Sequence, residues 1–221
     1  MSKLFDDPEF ENESREPVVS DWDIHGFFRQ YFWLSNFYPC AIASCFDELP
    51  IRDGGLIRFG EIGSTYPSSE NIYQAGKVDQ SKYSVDECIS LANYFKKCTP
   101  KEAKIKGNQL ILRPDWEDVK VDIMLFALRC KFNWKNNPIL CKRLINTGLK
   151  ELVEVNYWGD TFWGYDRNLN RGKNILGRLL MLIREELKQN MPDNYFRELE
   201  VNKNLGVSSF IIHEQLKDIK K

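Results

Sequence analysis

The sequence has few of the residues that bind zinc or build disulfide frameworks. Its histidines are His25 and His213, and its six cysteines include no pair separated by two residues. Structural zinc sites combine closely spaced thiolates and imidazoles, so a site of that kind is not expected. A disulfide framework is not expected in a reducing compartment, and we predict neither a metal nor a cofactor. Any chemistry must rest on carboxylates, amines, amides and aromatic rings.

An excess of charge of one sign is also absent. The chain carries 31 Lys and Arg against 32 Asp and Glu, for a net charge of −1 over 221 residues. No global basic field of the kind that drives nonspecific binding to nucleic acid is present, although a local basic groove stays possible. The chain also lacks the roughly 20 consecutive apolar residues of a membrane span, and its first residues lack the features of a signal peptide. We therefore predict a cytoplasmic protein with no membrane partner.

Composition divides the chain into three parts. Residues 1–21 mix Asp, Glu, Ser and Pro with few apolar anchors, which predicts a flexible acidic leader. Residues 22–190 are dense in aromatic and aliphatic side chains and have the size of one globular domain. Residues 191–221 carry a weaker apolar pattern and form a C-terminal extension of unknown role. No internal repeat is visible.

Three helices have clear start signals. Each begins with a Ser or Thr at the N-cap position, and two of these residues are followed three positions later by a Glu that completes a capping box. The signals are Ser68, Ser84 with Glu87, and Thr99 with Glu102. Short strands are predicted in "LIRFG" and "ELVEVNYW", where β-branched and aliphatic residues are bounded by turn residues.

Two longer helices follow in the second half of the chain. Asp115 is predicted to cap a helix that runs through about Trp134, with apolar residues at three- and four-residue steps. Asn174 is predicted to cap the last strong helix. Gly177 near the start of that helix costs ~1 kcal/mol relative to alanine, which implies a close packing partner or ligand.

The helix after Ser68 carries an unusual polar stripe. Glu70, Tyr73, Gln74 and Lys77 are spaced at three, four and seven residues, so they share one face of the helix. A stripe of this composition is either an ordinary solvated surface or the wall of a reaction pocket. Helical spacing alone does not decide between the two.

Six blocks of sequence, in order, resemble the signature blocks of the YbiA/NADAR family. The blocks are "FWLSNFYP", "YPSSENIYQAGK", "TPKEAKIKGN", "DWEDVKVDIMLFALRCKF", "LINTGLKELVEV" and "GDTFWGYDRNLNRGKNILGRLLMLIREEL". Together they cover roughly residues 26–187. The leader, an insert around residues 47–55 and the tail after Met191 lie outside the resemblance.

The resemblance implies a fold and a type of bond cleavage. It implies a helix-dominated α+β fold with a small β-sheet, and an N-glycosidase activity that cleaves a ribosyl C–N bond. Glu70 matches a glutamate of the family pattern, and Asp160 matches the acid before the "WG" pair. Where the family has a histidine after that glutamate, this chain has Asn71, which we leave out of the predicted site.

The residue types suit this chemistry. Cleaving an N-ribosyl bond builds positive charge on the ribose C1 and ring oxygen, so a carboxylate stabilises the transition state while a proton donor assists the departing amine. Glu70 and Asp160 are predicted to divide these roles. Lys77 is predicted either to attack C1 as a neutral amine or to pair with a phosphate, and Gln74 to orient a hydroxyl group or a water.

A second set of residues is predicted to bind the substrate. Trp116 and Trp163 occupy positions matched in the family, and an indole suits stacking on a pyrimidine or purine. Asn36 and Phe37 of the "SNF" segment are further members of the set. The glycine-bearing start of the last helix, with its backbone N–H groups, suits a phosphate. It contributes Gly164, Lys173 and Asn174.

Alternatives in function remain open at this point. The first hypothesis is hydrolysis of phosphorylated ribosylaminopyrimidines, which are intermediates of riboflavin biosynthesis. A second enzyme hypothesis is removal of ADP-ribose from guanine in DNA, and a third, of another class, is a non-catalytic ADP-ribose or nucleotide-binding module. A tail that mediates contacts with a partner or a second copy is also possible, and the oligomeric state is left open.

Overall fold

The computed structural model describes residues 15–43 and 64–190 in full, and the backbone of two strands at 48–50 and 56–58. Within these ranges the helices are α1 (Ser69–Ala75), α2 (Val85–Phe95), α3 (Pro100–Gly107), α4 (Trp116–Lys131), α5 (Pro138–Ile145) and α6 (Ile175–Asn190), with a 3₁₀-helix at Arg29–Leu34. The strands are β1 (Val18–Val19), β2 (Asp23–His25), β3 (Ile42–Ala43), β4 (Glu48–Pro50), β5 (Leu56–Arg58), β6 (Thr65–Tyr66), β7 (Glu151–Val153), β8 (Val155–Asn156) and β9 (Tyr165–Asp166). The predicted helix-dominated α+β fold is confirmed.

The largest described sheet joins the two ends of the domain. Its strand order is β1-β2-β7, with β2 antiparallel to β1 and parallel to β7. β1 lies inside the segment that the sequence assigned to the leader, so strand pairing starts at Val18. The rest of that leader, residues 1–14, and the predicted extension 191–221 lie outside the described residues.

Local sequence accounts for the starts of the first three helices. The Ser68 hydroxyl accepts a hydrogen bond from the Asn71 amide, which confirms the predicted N-cap of α1. Both predicted capping boxes form, because Ser84 and Glu87 bond each other reciprocally at α2 and Thr99 and Glu102 do so at α3. These contacts satisfy N–H groups that have no partner within the helix.

Two predicted caps are wrong. The Asp115 carboxylate bonds the Arg113 guanidinium at 2.5 and 2.8 Å instead of an amide of α4, and α4 ends at Lys131 rather than near Trp134. The Asn174 side chain turns away from α6 and bonds Leu152 O and Glu154 N at 2.8 and 3.0 Å. In both places a stronger or more distant partner takes the side chain from the helix end.

The helices enclose one core. α1 packs against α4, α3 and α2, while α6 packs against β7 and α5. A Cβ at Gly177 would overlap Leu152 O, so the close packing partner inferred from this glycine is β7. A Cβ at Gly107 would likewise overlap the Gln74 side chain, which brings α3 directly onto the polar stripe of α1. No helix in the described part of the chain is long and apolar enough to cross a membrane.

Candidate active site

The polar stripe is buried, and it consists of Glu70, Tyr73 and Gln74 on α1 with Lys77 two residues beyond the end of the helix. Exposure is 4% for Glu70, 7% for Tyr73, 2% for Gln74 and 8% for Lys77. Charged groups are rarely buried without a compensating partner, so this stripe is not an ordinary solvated surface. The Gln74 amide nitrogen donates to Glu70 Oε1 at 2.6 Å, one helical turn away. Of the two readings that spacing left open, burial excludes the solvated one.

The loop after the 3₁₀-helix fixes the first turn of α1. The Asn36 carbonyl accepts from the Glu70 amide at 3.2 Å and from the Ser69 hydroxyl at 3.3 Å. The Asn36 side-chain nitrogen donates to Met124 Sδ at 3.2 Å, so this amide faces α4. The contacts of Asn36 therefore position the backbone of Glu70, and the predicted role of Asn36 in substrate binding stays a prediction.

Tyr73 lies between the predicted tryptophans. Its ring centroid is 5.2 Å from that of Trp116 and 5.4 Å from that of Trp163, and Phe162 extends the row at 5.0 Å from Trp163. The structure thus brings together two residues predicted from separate blocks. Trp116 is only 7% exposed, so its area for stacking is small, whereas Trp163 is half-buried.

Tyr73 also reports where the two predicted carboxylates lie. Burial raises the pKa of Tyr73 far above its usual value, and the negative charges of Glu70, Glu117 and Asp160 raise it further, while the Trp163 side chain opposes them. The geometry agrees with these causes, because the Trp163 ring packs on Tyr73 at 5.4 Å and the Trp163 amide donates to Asp160 Oδ1 at 2.9 Å, so the Asp160 loop lies beside the helix that carries Glu70. The phenol itself stays protonated and neutral.

Lys77 completes the α1 side of the site. Burial lowers the pKa of Lys77, Glu70 opposes this shift, and Lys104 adds to it. Its Nζ lies 5.7 Å from the Tyr73 ring centroid and 5.6 Å from that of Trp116. A lowered pKa increases the fraction of neutral, nucleophilic amine near pH 7. If Lys77 attacks a carbon atom of a substrate, it must do so in this neutral form.

Lys104 on α3 was missed as a site residue. Its Nζ lies 5.7 Å from the ring centroid of Phe37, and its charge acts on Lys77. The close contact of Gly107 with Gln74, one turn further along α3, explains why Lys104 comes near the stripe. The block "TPKEAKIKGN" contained this lysine, but its several lysines have no feature that separates a pocket residue from a surface one.

Asp160 is held by its own loop. Its Oδ1 accepts from the amides of Phe162 and Trp163 at 3.0 and 2.9 Å, and its own amide donates to Asn156 Oδ1 at 3.1 Å. One carboxylate oxygen therefore folds the loop. In the described part of the chain, no hydrogen bond engages Oδ2, which leaves that oxygen for a substrate or a water.

At the start of α6, four backbone amides predicted to face a phosphate bond the preceding loop instead. The four amides from Lys173 to Leu176 donate to backbone carbonyls of the loop 161–164, at 2.8 to 3.3 Å. Gly164 permits this arrangement, because a Cβ there would meet Glu154 O and the Asn156 side chain. Asn174 serves β7, as described above. Both residues thus have structural contacts, and the ligand roles predicted for them stay predictions.

Lys173 keeps a different place near the site. Its Nζ lies 5.4 Å from the ring centroid of Phe162, and Lys120 Nζ lies 4.1 Å from the same centroid. Lys120 also pairs with Glu117 at 2.5 Å. The aromatic row thus has cationic groups at both ends, Lys77 near Trp116 and this lysine pair at Phe162.

Comparisons with known proteins agree with this fold and site. The NADAR domain profile matches residues 24–188, and the chain belongs to the NADAR domain family. It is 35% identical over 170 residues to a riboflavin biosynthesis protein of Vibrio vulnificus strain YJ016. This alignment covers 77% of this chain and 38% of the Vibrio protein. It is 37% identical over 127 residues to the N-glycosidase YbiA of Escherichia coli K12. This alignment covers 57% of this chain and 72% of YbiA.

A solved structure supports the same assignment. The NMR structure of E. coli YbiA superimposes with a TM-score of 0.58 at 28% identity, covering 80% of this chain and 91% of that one. The chain spans well under half the length of the Vibrio riboflavin biosynthesis protein.

Proposed function

We propose that this protein is an N-glycosidase that hydrolyses the C–N ribosyl bond of phosphorylated ribosylaminopyrimidines, the riboflavin intermediates. The observation that carries the proposal is the packing of Trp163, whose amide bonds Asp160, on Tyr73 of the helix that carries Glu70, with the Lys77 amine 5.7 Å from the same Tyr73 ring. The names of the matched relatives support the bond type and the substrate class. The cytoplasmic location predicted from the sequence is part of the proposal.

Glu70 is assigned to the ribose. As the bond between C1 and the amine nitrogen breaks, positive charge develops on C1 and the ring oxygen, and a buried carboxylate stabilises it strongly in a low-dielectric site. The bond from Gln74 holds Glu70 Oε1 in place. Water supplies the hydroxyl group that C1 receives, and the proton released by that water goes to the departing amine.

Asp160 is assigned to the proton transfer. It is half-buried, and Oδ2 is the oxygen that its loop leaves for an attacking water. A carboxylate at hydrogen-bond distance from that water accepts its proton and returns it to the leaving nitrogen. Trp163, half-buried and packed on Tyr73, is the indole assigned to the pyrimidine.

Lys77 and Lys104 are assigned to the phosphorylated ribose. Lys104 is close enough to lower the pKa of Lys77, and two neighbouring ammonium groups favour an anion between them, whereas the amides of residues 173–176 at the start of α6 already bond the preceding loop. Lys77 in its neutral form also suits attack on C1. The Nζ–C1 bond forms as the C1–N bond to the pyrimidine breaks, one Nζ proton goes to the departing amine, and the other goes to the ring oxygen as the ribose opens to an imine. Water then hydrolyses the imine to free Lys77 and ribose phosphate. Borohydride present during turnover reduces such an imine to a stable secondary amine, which peptide mass spectrometry locates at Lys77 if this route is used.

The experiment that tests the proposal is product analysis. We expect incubation with a ribosylaminopyrimidine phosphate to release free aminopyrimidine and ribose phosphate, identified by mass spectrometry. Glu70→Gln should abolish release, whereas Glu87→Gln should retain it. Glu87 is a matched control because it is also an acid in a first helical turn, at the exposed end of α2. Release that is unchanged in Glu70→Gln would refute the assigned chemistry.

A second candidate activity is removal of ADP-ribose from guanine in DNA. The lysine pair at Phe162 favours it, because a substrate with two phosphates reaches further along the aromatic row than a monophosphate. Assaying an ADP-ribosylated guanine oligonucleotide beside the riboflavin intermediate separates the two activities. Turnover of the oligonucleotide alone would replace the proposed substrate class.

The alternative of another class, a non-catalytic nucleotide-binding module, predicts a different pattern. Such a module binds the ligand without releasing base, and Glu70→Gln and Asp160→Asn leave its affinity nearly intact. Calorimetric titration with ADP-ribose and with a ribosyl phosphate, run beside the product assay, distinguishes a binder from an enzyme.

A further inference from the structure

Lys131 on α4 is a cation in the hydrophobic core. Its exposure is 0%, and it lies among the buried apolar residues of the helix. The rings of Tyr38 and Phe132 lie 5.6 and 5.3 Å from its Nζ. A buried ammonium is costly in free energy, so its presence calls for a role that an apolar side chain of similar length does not fill.

Among the described residues, the ammonium group has one hydrogen-bond acceptor. Lys131 Nζ donates to the Ser35 carbonyl at 2.7 Å. Ser35 is the C-cap of the 3₁₀-helix, where the backbone becomes extended, and its own amide donates to Phe32 O. The lysine therefore holds the carbonyl at the point where the chain leaves the 3₁₀-helix for the next residue, Asn36.

Asn36 passes this constraint to the candidate site. Its carbonyl accepts from the Glu70 amide and the Ser69 hydroxyl, and its side chain bonds Met124 on the helix that carries Lys131. The two-residue segment Ser35–Asn36 is thus fixed to α4 at two points, through Ser35 O and the Asn36 side chain, and holds the first turn of α1 at two more through Asn36 O. Small displacements of a catalytic group lower rates substantially, so this connection bears on Glu70.

We propose that Lys131 is a positioning residue, which sets the place of Glu70 through the Ser35–Asn36 segment and does not touch the substrate. Full burial of Nζ keeps it from any ligand in the pocket, which distinguishes it from Lys77 and Lys104. The kinetic part of this inference rests on the proposed function, whereas the link from Lys131 to Glu70 does not.

Hydrogen exchange tests the link without any substrate. The Glu70 amide bonds Asn36 O, whereas the neighbouring Asn71 amide bonds Ser68 Oγ, which Lys131 does not reach. In Lys131→Met we expect the Glu70 amide to exchange at least about tenfold faster while the Asn71 amide keeps its rate. Equal changes at both amides, or none, would overturn the proposal.

Kinetics and stability provide a second measurement. Methionine matches the length of the lysine stem and removes the buried charge, so Lys131→Met is expected to melt within about 3 °C of wild type. Its kcat should fall by about 10- to 100-fold with KM changed less than about threefold, because Glu70 acts in the transition state. A loss of activity that only follows a loss of folded protein would count against the proposal.

Lys135→Met is the matched control. Lys135 is exposed, with Nζ 5.5 Å from the Trp134 ring centroid, and it has no place in the site. We expect its kcat and its exchange rates at Glu70 and Asn71 to equal those of wild type. A similar loss of kcat in this control would show that removing any nearby lysine charge is enough to lower activity, which would contradict the specific role of Lys131.

The wild-type protein supports a test even if Lys131→Met does not fold. Burial lowers the pKa of Lys131 to about 8, with Cys40 and Glu154 opposing the shift, and the Tyr38 ring also faces Nζ. Deprotonation weakens the bond to the Ser35 carbonyl. The ratio of Glu70 to Asn71 exchange, in which the base catalysis common to both amides cancels, should rise as pH passes about 8. A ratio that stays flat between pH 7 and about 10 would refute the link.

Discussion

Helix α1 and the loop from Gly159 to Lys173 each bring an acid to the candidate site, but their polar groups have different partners. On α1, the stripe side chains contact one another and neighbouring side chains, as Gln74 does with Glu70. In the loop, Asp160 bonds two backbone amides, and the carbonyls of 161–164 accept from the first amides of α6. The loop uses its polar atoms to define its own shape.

This difference separates residues that should matter mainly for activity from residues that should matter at least as much for stability. Residues of α1 are held by their surroundings and keep charge that is not needed for folding, so changes there should lower activity more than stability. Residues of the loop hold the backbone, so changes there should lower stability at least as much as activity. Substitutions in the two regions should therefore differ in their effects on activity and stability, and each measurement tests this difference.

The largest effect is expected for Glu70→Gln. The substitution keeps the shape of the side chain and an acceptor for Gln74 but removes the charge that stabilises C1. We expect kcat/KM to fall by about 1,000-fold, or ~4 kcal/mol, with the free energy of unfolding changed by less than ~1 kcal/mol. Steady-state kinetics and urea unfolding measure the two quantities. A fall below about tenfold would show that this acid is structural, like those of the loop.

Gly177→Ala should have the next largest effect, and on stability. A Cβ would overlap the Leu152 carbonyl, which is backbone and does not rotate away. We expect the free energy of unfolding to fall by ~3 kcal/mol, measured by urea denaturation. Gly148→Ala is the control, because that glycine has a φ of +67° but open space around it, and ~1 kcal/mol is expected. Equal losses in the two variants would show that the contact of α6 with β7 yields easily.

Asp160→Asn and Asp160→Ala separate the two uses of this carboxylate. Asparagine retains an acceptor for the amides of Phe162 and Trp163, so stability should change by less than ~1 kcal/mol while kcat falls by about 30-fold, or ~2 kcal/mol. Alanine should lower both. If both variants keep full activity but alanine alone loses stability, Asp160 only folds the loop.

The smallest effect is expected for Lys173→Ala. This lysine is exposed, and the amides of residues 173–176 already bond the preceding loop, so turnover of a ribosyl monophosphate should change by less than about threefold, or ~0.7 kcal/mol. The same variant assayed on an ADP-ribosyl substrate tests whether the lysine pair at Phe162 holds a second phosphate. A large loss on the monophosphate would restore the helix start as its binding site.

Local sequence predicted what local contacts decide. The N-cap at Ser68 and the capping boxes at Ser84 and Thr99 need only residues three positions away, and all three formed. Asp115 and Asn174 have the same propensity for helix starts, but Arg113 and β7 compete for their side chains. A pattern of residue types indicates the availability of a cap but not its competitors.

In the candidate site, too, some features follow from local sequence and others from tertiary packing. Spacing placed Glu70, Gln74 and Lys77 on one face, but only tertiary packing buries that face against α3 and α4. Lys104 and Lys131 both lie inside blocks that carry the family resemblance. Their roles depend on where Gly107 and Ser35 lie in space, which the pattern of the surrounding residues does not contain.

The parallel pairing of β2 with β7 sets an order of events during biosynthesis. Asp23 is hydrogen-bonded in register with Glu151, so a strand made early waits on the ribosome for a partner made about 130 residues later. The loop that carries Asp160 lies further still along the chain. The candidate site is therefore incomplete in every nascent chain that stops short of this point, and a truncated product has an unpaired edge strand that invites aggregation.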